Sequence, residues 1–474
     1  MNSIRIAAAS AGVVVAIVTV SHGALAPAVK EPGWEQGSVV LERWMKVQGL
    51  DRPVAEVFPR ECVYELTTGN PAATTRFRLL DAREAGYYLA TETPNHTLRA
   101  EIARYANVRW MLDEEVGIGQ LPGVNPFVSA MRETRFEPAV LKQRFSSWSR
   151  PVDGEWNGLK CQVVRMRANA GNFEFWWFDA GTGSLVLATP MPRPVGAEPE
   201  GTVFRDFRLV DGALEPFEMV FTTGGQRSVF RALKTKNRVE LEPRIFDAPP
   251  AQFKAWQQSE AILLKYIKAM GGVAKLAQIV SRVTHIKAKA PMNGTEFEMT
   301  ISQKLPNRVA VETNVPGIGR TWQGYDGKSG WVSSELKGFR TLRGPELQAM
   351  IQTSDLHNAE HFNEVYPLRK IQGVKEVQGR RTAAIDLANL AGKAGTHYFD
   401  LGTGQLVRVE TVMGGGGVAI PVTMDFSDFR TVDGVVIPFA TTMANPAMRL
   451  EMTVTSVEHN VEIPDAVFQP RKEE

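Results

Sequence analysis

The sequence predicts an α+β protein of two tandem modules, each a curved antiparallel β-sheet, an open half-barrel, packed by a few helices. Three observations carry this: a long internal repeat, a helical opening at the start of each copy, and period-two strands joined by Asp/Gly turns with no βαβ alternation.

The repeat is read first because it sets the domain organisation. Asp206 to Phe217 matches Asp428 to Phe439 at eight of twelve positions, at an offset of 222 residues. Within one residue of that spacing, Phe178 to Gly183 aligns with Phe399 to Gly404, and Val40 to Lys46, followed by Gly49, aligns with Ile262 to Lys268, followed by Gly271. Val239-Glu240-Leu241 and Phe246 likewise pair with Val461-Glu462-Ile463 and Phe468. The expected organisation is an export signal at 1–26, a first module at 37–247, a linker at 248–258 with Pro249-Pro250 and a short polar helical stretch, and a second module at 259–470.

Each module opens on an amphipathic helix. Ile262, Leu263, Tyr266, Ile267 and Met270 recur at helical spacing, with Ser259 as N-cap and Gly271 at the stop. Such a helix needs a surface to cover, and the strands supply it: Phe297, Met299 and Ile301 face one way, Glu296, Glu298, Thr300 and Ser302 the other. Met448, Leu450, Met452 and Val454 repeat the pattern. Asp400 to Gly404 and Asp433-Gly434 tolerate positive φ between strand-like runs, the signal of tight hairpins. A sheet of this many strands twists and curls, and if it does not close it leaves an apolar concavity suited to acyl chains. A filled core would show the same alternation, so a scaffold with filled sheets stays open beside a ligand holder.

Composition narrows the class. The chain has 474 residues, 43% apolar and 22% charged, with a net charge of +2. That is enough for two cores and gives no basic footprint for nucleic acid. Met1 to Arg5 and the apolar run Ile6 to Val20 read as an export signal, too short for an ordinary membrane span, with an uncleaved N-terminal anchor as the alternative. The two cysteines, Cys62 and Cys161, belong to no CxxC motif. In an oxidising compartment they can form one disulfide, or remain two buried thiols.

The second module then resembles a known family. Ile262 to Gly272, Leu305-Pro306-Asn307-Arg308, Gly324 to Trp331, Tyr398-Phe399-Asp400 and Asp428-Phe429-Arg430 together resemble the outer-membrane lipoprotein-sorting protein-like domains, similar in fold to the Lol-type lipoprotein carriers. The resemblance covers nearly all of 259–470. It implies a non-enzymatic periplasmic carrier or receptor of lipid or lipoprotein acyl chains, with an envelope protein as a further partner and no cofactor. It implies Arg308 beside the cavity, meeting an anionic or carbonyl head group, with Trp322, Tyr325 and Trp331 lining the groove. Phe297, Met299 and Ile301 complete the expected ligand-binding set. The first module keeps the end motifs but departs in the middle, around Tyr87, Tyr88, Trp110 and the pair Trp176-Trp177.

One catalytic motif competes. His357-Asn358-Ala359-Glu360-His361 is a literal HxxEH, whose two imidazoles four apart on a helix can hold zinc with Glu360 as base. No third ligand is nominated, so a solvated helical face is the alternative. No GxSxG, Walker loop or strand-linked GxGxxG occurs, and Gly414 to Gly417 reads as a hairpin tip. His96, His285, His397 and His459 stand alone and read as structural.

Overall fold

A computed structural model describes residues 34–68, 73–92, 98–103, 108–122, 128, 141, 144–242, 244–389, 392–415 and 418–470. The expected export signal and His96 lie outside the described residues. The chain divides into two compact units, the first within residues 1–249 and the second made of 250–474 with Val116–Ile118.

The first unit opens with α1 (Trp34–Val47) and the one-turn α2 (Val54–Val57). Its strands are β1 (Arg60–Thr68), β2 (Ala73–Asp81), β3 (Tyr87–Glu92), β4 (Leu98–Ala103), β5 (Val108–Asp113), β6 (Gly117–Pro122) and β7 (Phe145–Trp148). They continue as β8 (Val152–Trp156), β9 (Leu159–Ala168), β10 (Phe173–Asp179), β11 (Leu185–Thr189), β12 (Gly201–Val210), β13 (Ala213–Thr223) and β14 (Gln226–Lys236). All pairings among β1–β5 and β7–β14 are antiparallel, in the order β5-β4-β3-β2-β1-β14-β13-β12-β11-β10-β9, with β7 and β8 sharing the far edge of β9. The inner face carries one continuous core in which Trp44 of α1, Trp176, Phe178, Phe204, Met219, Phe230 and Leu66 meet Val128 and Leu141.

The second unit repeats the plan. After α3 (Pro250–Ala269) and α4 (Val273–Leu276) come β15 (Ser281–Ala290), β16 (Thr295–Lys304), β17 (Arg308–Val315), β18 (Gly319–Tyr325), β19 (Gly330–Ser334) and β20 (Gly338–Thr341). Helices α5 (Gly344–Ser354) and α6 (Phe362–Val365) intervene before β21 (Leu368–Val377), β22 (Arg380–Asn389), β23 (Gly392–Asp400), β24 (Leu406–Gly415), β25 (Val418–Val432), β26 (Val435–Asn445) and β27 (Met448–His459). The order is β20-β19-β18-β17-β16-β15-β27-β26-β25-β24-β23-β22-β21, antiparallel throughout. Strand β20 ends the row on one side and β21 pairs with β6 on the other, and among the described residues β20 and β21 do not pair with each other, so the sheet is open as well as curved.

The repeat is preserved in its joints. The β1–β14 ladder slips at Val63/Tyr64 and the β15–β27 ladder at His285/Ile286, the same place in each copy. Hairpin turns at Asp211-Gly212 and Asp433-Gly434 have positive φ at both residues, the type I′ geometry that matches strand twist. Asp206 and Asp428 also take positive φ, and each is held by the arginine two residues on, Arg208 or Arg430. Those guanidinium groups lie 4.5 Å over the rings of Phe217 and Phe439.

The opening helix is docked identically in both copies. Arg43 donates to the carbonyls of Ala180 and Gly181, and Lys265 donates to that of Leu401, so a basic side chain grips the Asp-x-Gly-Thr-Gly turn. Trp44 packs on Phe178 and Tyr266 on Phe399, with ring centroids 5.9 and 5.4 Å apart. At the helix end, a Cβ on Gly271 would stand 2.5 Å from the Gly434 carbonyl oxygen, and one on Gly49 would stand 2.8 Å from Ala213 Cβ.

One local expectation is corrected. Helix α3 begins at Pro250, where the missing N–H costs nothing, so Ser259 is mid-helix and its hydroxyl donates to the Trp256 carbonyl rather than capping. Of the glycine run, Gly414 and Gly415 end β24, and Gly416 and Gly417 lie outside the described residues.

The neighbours Gly271 and Gly272 separate backbone strain from collision. Both have positive φ, but a Cβ on Gly272 meets nothing within 4 Å. Gly272→Ala is expected to destabilise by about 1 kcal/mol and Gly271→Ala by at least about 2 kcal/mol more. Denaturant titration of the two variants checks this, and equal losses would refute close docking of the helix end on the hairpin.

Candidate functional site

Directly paired residues in an antiparallel ladder point to the same face, so register defines the inner surface of the second unit. Phe297, Ala288, Met452, Thr441 and Phe426 form one row across β16, β15, β27, β26 and β25. Met299, Ile286 and Val454 form the next, then Ile301, Thr284 and Val457, then Gln303, Arg282 and His459. From Ala288 to Arg282 is six residues of strand, about 20 Å.

The equivalent first row of the first unit is Leu66, Phe230, Met219 and Phe204, 1, 2, 5 and 5% exposed. In the second unit these become Ala288, Met452, Thr441 and Phe426. Ala288 is buried, but the other three are half-buried, as are Phe297, Met299, Ile301, Ile286 and Val454. Trp44 and Trp176, both fully buried, are likewise replaced by Tyr266 and His397. The second copy has smaller inner side chains at five positions and larger ones at Phe297 and Val454, where the first has Thr75 and Ala232. Its first row is the more exposed, while the next row, Phe77, Tyr64 and Ala232 or Met299, Ile286 and Val454, is half-buried in both copies. Its buried apolar residues fall into separate clusters, around Leu263, Tyr266 and Phe399 under α3, and around Val309, Tyr325 and Met350 under α5.

The expected ligand-binding residues divide between the two faces. Phe297, Met299 and Ile301 lie on the inner face, and Tyr325 is there too, 8% exposed, paired with Val309 in the α5 cluster. Trp322 pairs with Glu312, and Trp331 with Gly324 and thereby Ala310, on the opposite face. Trp331 is buried and donates its indole N–H to the Phe468 carbonyl at 2.9 Å. Arg308 shares that outer side and pairs with Asp465 at 2.6 Å, a carboxylate that also accepts from Lys304. Arg308 and Trp331 therefore fasten the C-terminal segment, residues 461–468, to the back of the sheet.

Neither cysteine meets the other. Cys62 on β1 and Cys161 on β9 are free and buried, with five strands of the ladder between them, so the geometry for a bridge is lacking. Burial, assisted by Asp179, pushes the Cys161 thiol up to about 11.

The HxxEH segment is a run of turns, not a helix. His357 Nε2 faces the Ile279 carbonyl at 2.8 Å, and His361 Nδ1 faces Asp355 at 2.8 Å, with the rings 6.5 Å apart. Among the described residues no cluster of three His, Cys, Asp or Glu has metal-holding geometry. The segment bridges α5 and α6 to the loop after α4.

Two buried polar groups mark the α3 side of the inner face. Arg369, its side chain 1% exposed, is bonded to Glu260 of α3 and Asn363 of α6 and locks both helices to β21. His397 sits among Phe362, Tyr366 and Phe399 at centroid distances of 5.9 to 6.4 Å. Burial pulls its imidazole down to about 4 from an ordinary 6.5.

Because folded His397 refuses a proton that the unfolded chain accepts, stability is full above about pH 6.5 and is lost as pH falls toward 4. The loss is about 3 kcal/mol. His397→Phe is expected to flatten this part of the stability profile. Chemical denaturation at several pH values checks it, and an unchanged slope between pH 4 and 6.5 would contradict it.

No family model and no curated protein matches the sequence. Among solved structures, the chain is similar to an outer membrane lipoprotein-sorting protein domain from Vibrio parahaemolyticus, at 10% identity and TM-score 0.32, covering 44% of this chain and 94% of that one. It is similar to a LolA superfamily protein from Nitrosomonas europaea, at 14% identity and TM-score 0.33, covering 45% and 97%. It is also similar to a DUF1329 family protein from Desulfovibrio piger, at 11% identity and TM-score 0.33, covering 44% and 96%. These include the class of domain that the motifs of residues 259–470 resemble.

Proposed function

We propose that the protein is a non-enzymatic carrier or receptor for apolar ligands of the cell envelope, acting in the periplasm, and that its second unit holds an acyl chain on the inner face of the sheet. The first unit, filled by its own side chains, serves as a structural partner.

One observation carries the reading. The row Leu66, Phe230, Met219 and Phe204 is closed by bulk, and its counterpart Ala288, Met452, Thr441 and Phe426 is trimmed and partly exposed. Natural cores are packed to near-crystalline density, so partly exposed apolar rows on an inner face, of which Met299 and Ile301 also touch the α5 cluster, are surface that another molecule can cover further. The rows run about 20 Å, and one leaflet of acyl chain spans about 15 Å, half a bilayer core of about 30 Å. Burial contributes roughly 25 cal/mol per Å² and is non-directional, which favours selection by chain length and bulk.

The filled-sheet scaffold describes the first unit better than the second. A zinc hydrolase has little support, since both imidazoles of the HxxEH segment face protein partners.

The test is to give the second unit the row of the first. Ala288→Leu, Thr441→Met and Met452→Phe together are expected to cut uptake of an environment-sensitive apolar dye at least tenfold while the full chain stays folded. Dye titration of the wild type and the triple variant, with circular dichroism, reads the result. Equal uptake by both proteins would remove the groove.

A further inference from the structure

At one end of these apolar rows the inner face turns polar. Its last row is Gln303, Arg282 and His459. Gln303 is committed to the Thr353 carbonyl of α5. Arg282 is half-buried, and among the described residues its only side-chain hydrogen bond runs from Nε to His459 Nε2 at 3.1 Å. His459 in turn faces Asp433 through Nδ1 at 3.1 Å, so its Nε2 is the neutral, accepting nitrogen. The Asp433 carboxylate is 64% exposed and reaches Arg282 only through that ring. Neither terminal nitrogen of Arg282 has a partner among the described residues.

The other copy of the repeat shows what such an arginine needs when it is purely structural. Arg60 stands at the position equivalent to Arg282, and its two terminal nitrogens hold Glu215 in a bidentate pair, Nη1 to Oε1 at 3.0 Å. The two side chains are 7 and 9% exposed. The position of Glu215 in the second copy is Ile437. The polar link below is conserved in form, Asn237 to Asp211 in the first copy and His459 to Asp433 in the second. The counter-ion is gone, and the Cys62 thiol that accepts from Arg60 Nε is replaced by Thr284, His459 taking that donor in its place. Burial draws Arg282 down to about 10, which leaves it charged at neutral pH. A half-buried cation at the end of an apolar trough, with its fork of donors free, is matched by a planar or tetrahedral anion.

We infer that Arg282 is the head-group site of the second unit, and that the ligand is an amphiphile whose acyl tail lies along the rows of Ile301, Met299 and Phe297 and whose carboxylate or phosphate head replaces the missing Glu215 equivalent. This deepens the proposed function and rests on it.

The probes are hexadecanoate and its methyl ester, which share a tail and differ in charge, each titrated against dye bound to the full-length protein. The wild type is expected to bind the acid about tenfold more tightly than the ester, the return of one charge-assisted pair. Arg282→Gln brings the acid down to the ester's affinity. Ile437→Glu, which rebuilds the first copy's ion pair in place and so keeps the arginine satisfied, does the same. Equal binding of acid and ester by the wild type, or an acid preference that survives Ile437→Glu, would overturn the assignment of Arg282 while leaving the groove intact. If neither probe displaces dye from the wild type, the groove reading falls together with it.

Discussion

A single helix cannot cover the inner face of a thirteen-strand sheet. From β20 to β21 the second unit's ladder has twelve inter-strand steps, nearly 60 Å of width at the usual spacing. A helix of 20 residues is about 30 Å long and about 10 Å across. Curling the sheet brings part of that face to α3 and part to α5. What remains must be occupied by large side chains of the sheet itself or stay open to another molecule.

The two copies resolve this constraint in opposite ways while keeping the same joints. The grip of Arg43 or Lys265 on the turn, the close approach at Gly49 or Gly271, and the paired ladder slips fix the helix and the curl. Within that frame, tryptophan, phenylalanine, methionine and leucine fill the first unit. Histidine, methionine, threonine and alanine at the matching positions leave the second less full. The buried pair Arg60–Glu215 and the lone Arg282 are the electrostatic version of the same divergence. A buried ion pair is satisfied internally, whereas removing its carboxylate leaves a cation whose desolvation must be offset by something else.

Much of the fold was legible because it is written in local chemistry that occurs twice. Asp-Gly hairpins, period-two strands and the glycine after each opening helix are short-range signals, and the duplication made each of them visible by comparison. The phase of Trp322 and Trp331 was harder: Trp322 lies an odd three residues from Tyr325, whereas Trp331 lies an even six residues on but across a turn that pairs Tyr325 with Gly330, so proximity in sequence hid the change of face. Arg308 gave no local sign of its partner, since Asp465 is 157 residues away and arrives with the C-terminal segment. The start of α3 was obscured by the weak helical pattern of residues 250–258. In contrast, the loss of Glu215 at Ile437 lies inside the aligned twelve-residue motif. It was readable there, but its meaning depends on the register that sets Arg282 on the inner face.

The account stands on the second unit carrying apolar surface that its own chain does not cover. Native mass spectrometry of the full-length protein recovered from its own cell envelope measures this most directly. The account predicts a population heavier than the bare chain by the mass of one acyl-bearing amphiphile, released by organic extraction. A bare-chain mass alone, unchanged after incubation with phospholipid vesicles, would contradict it.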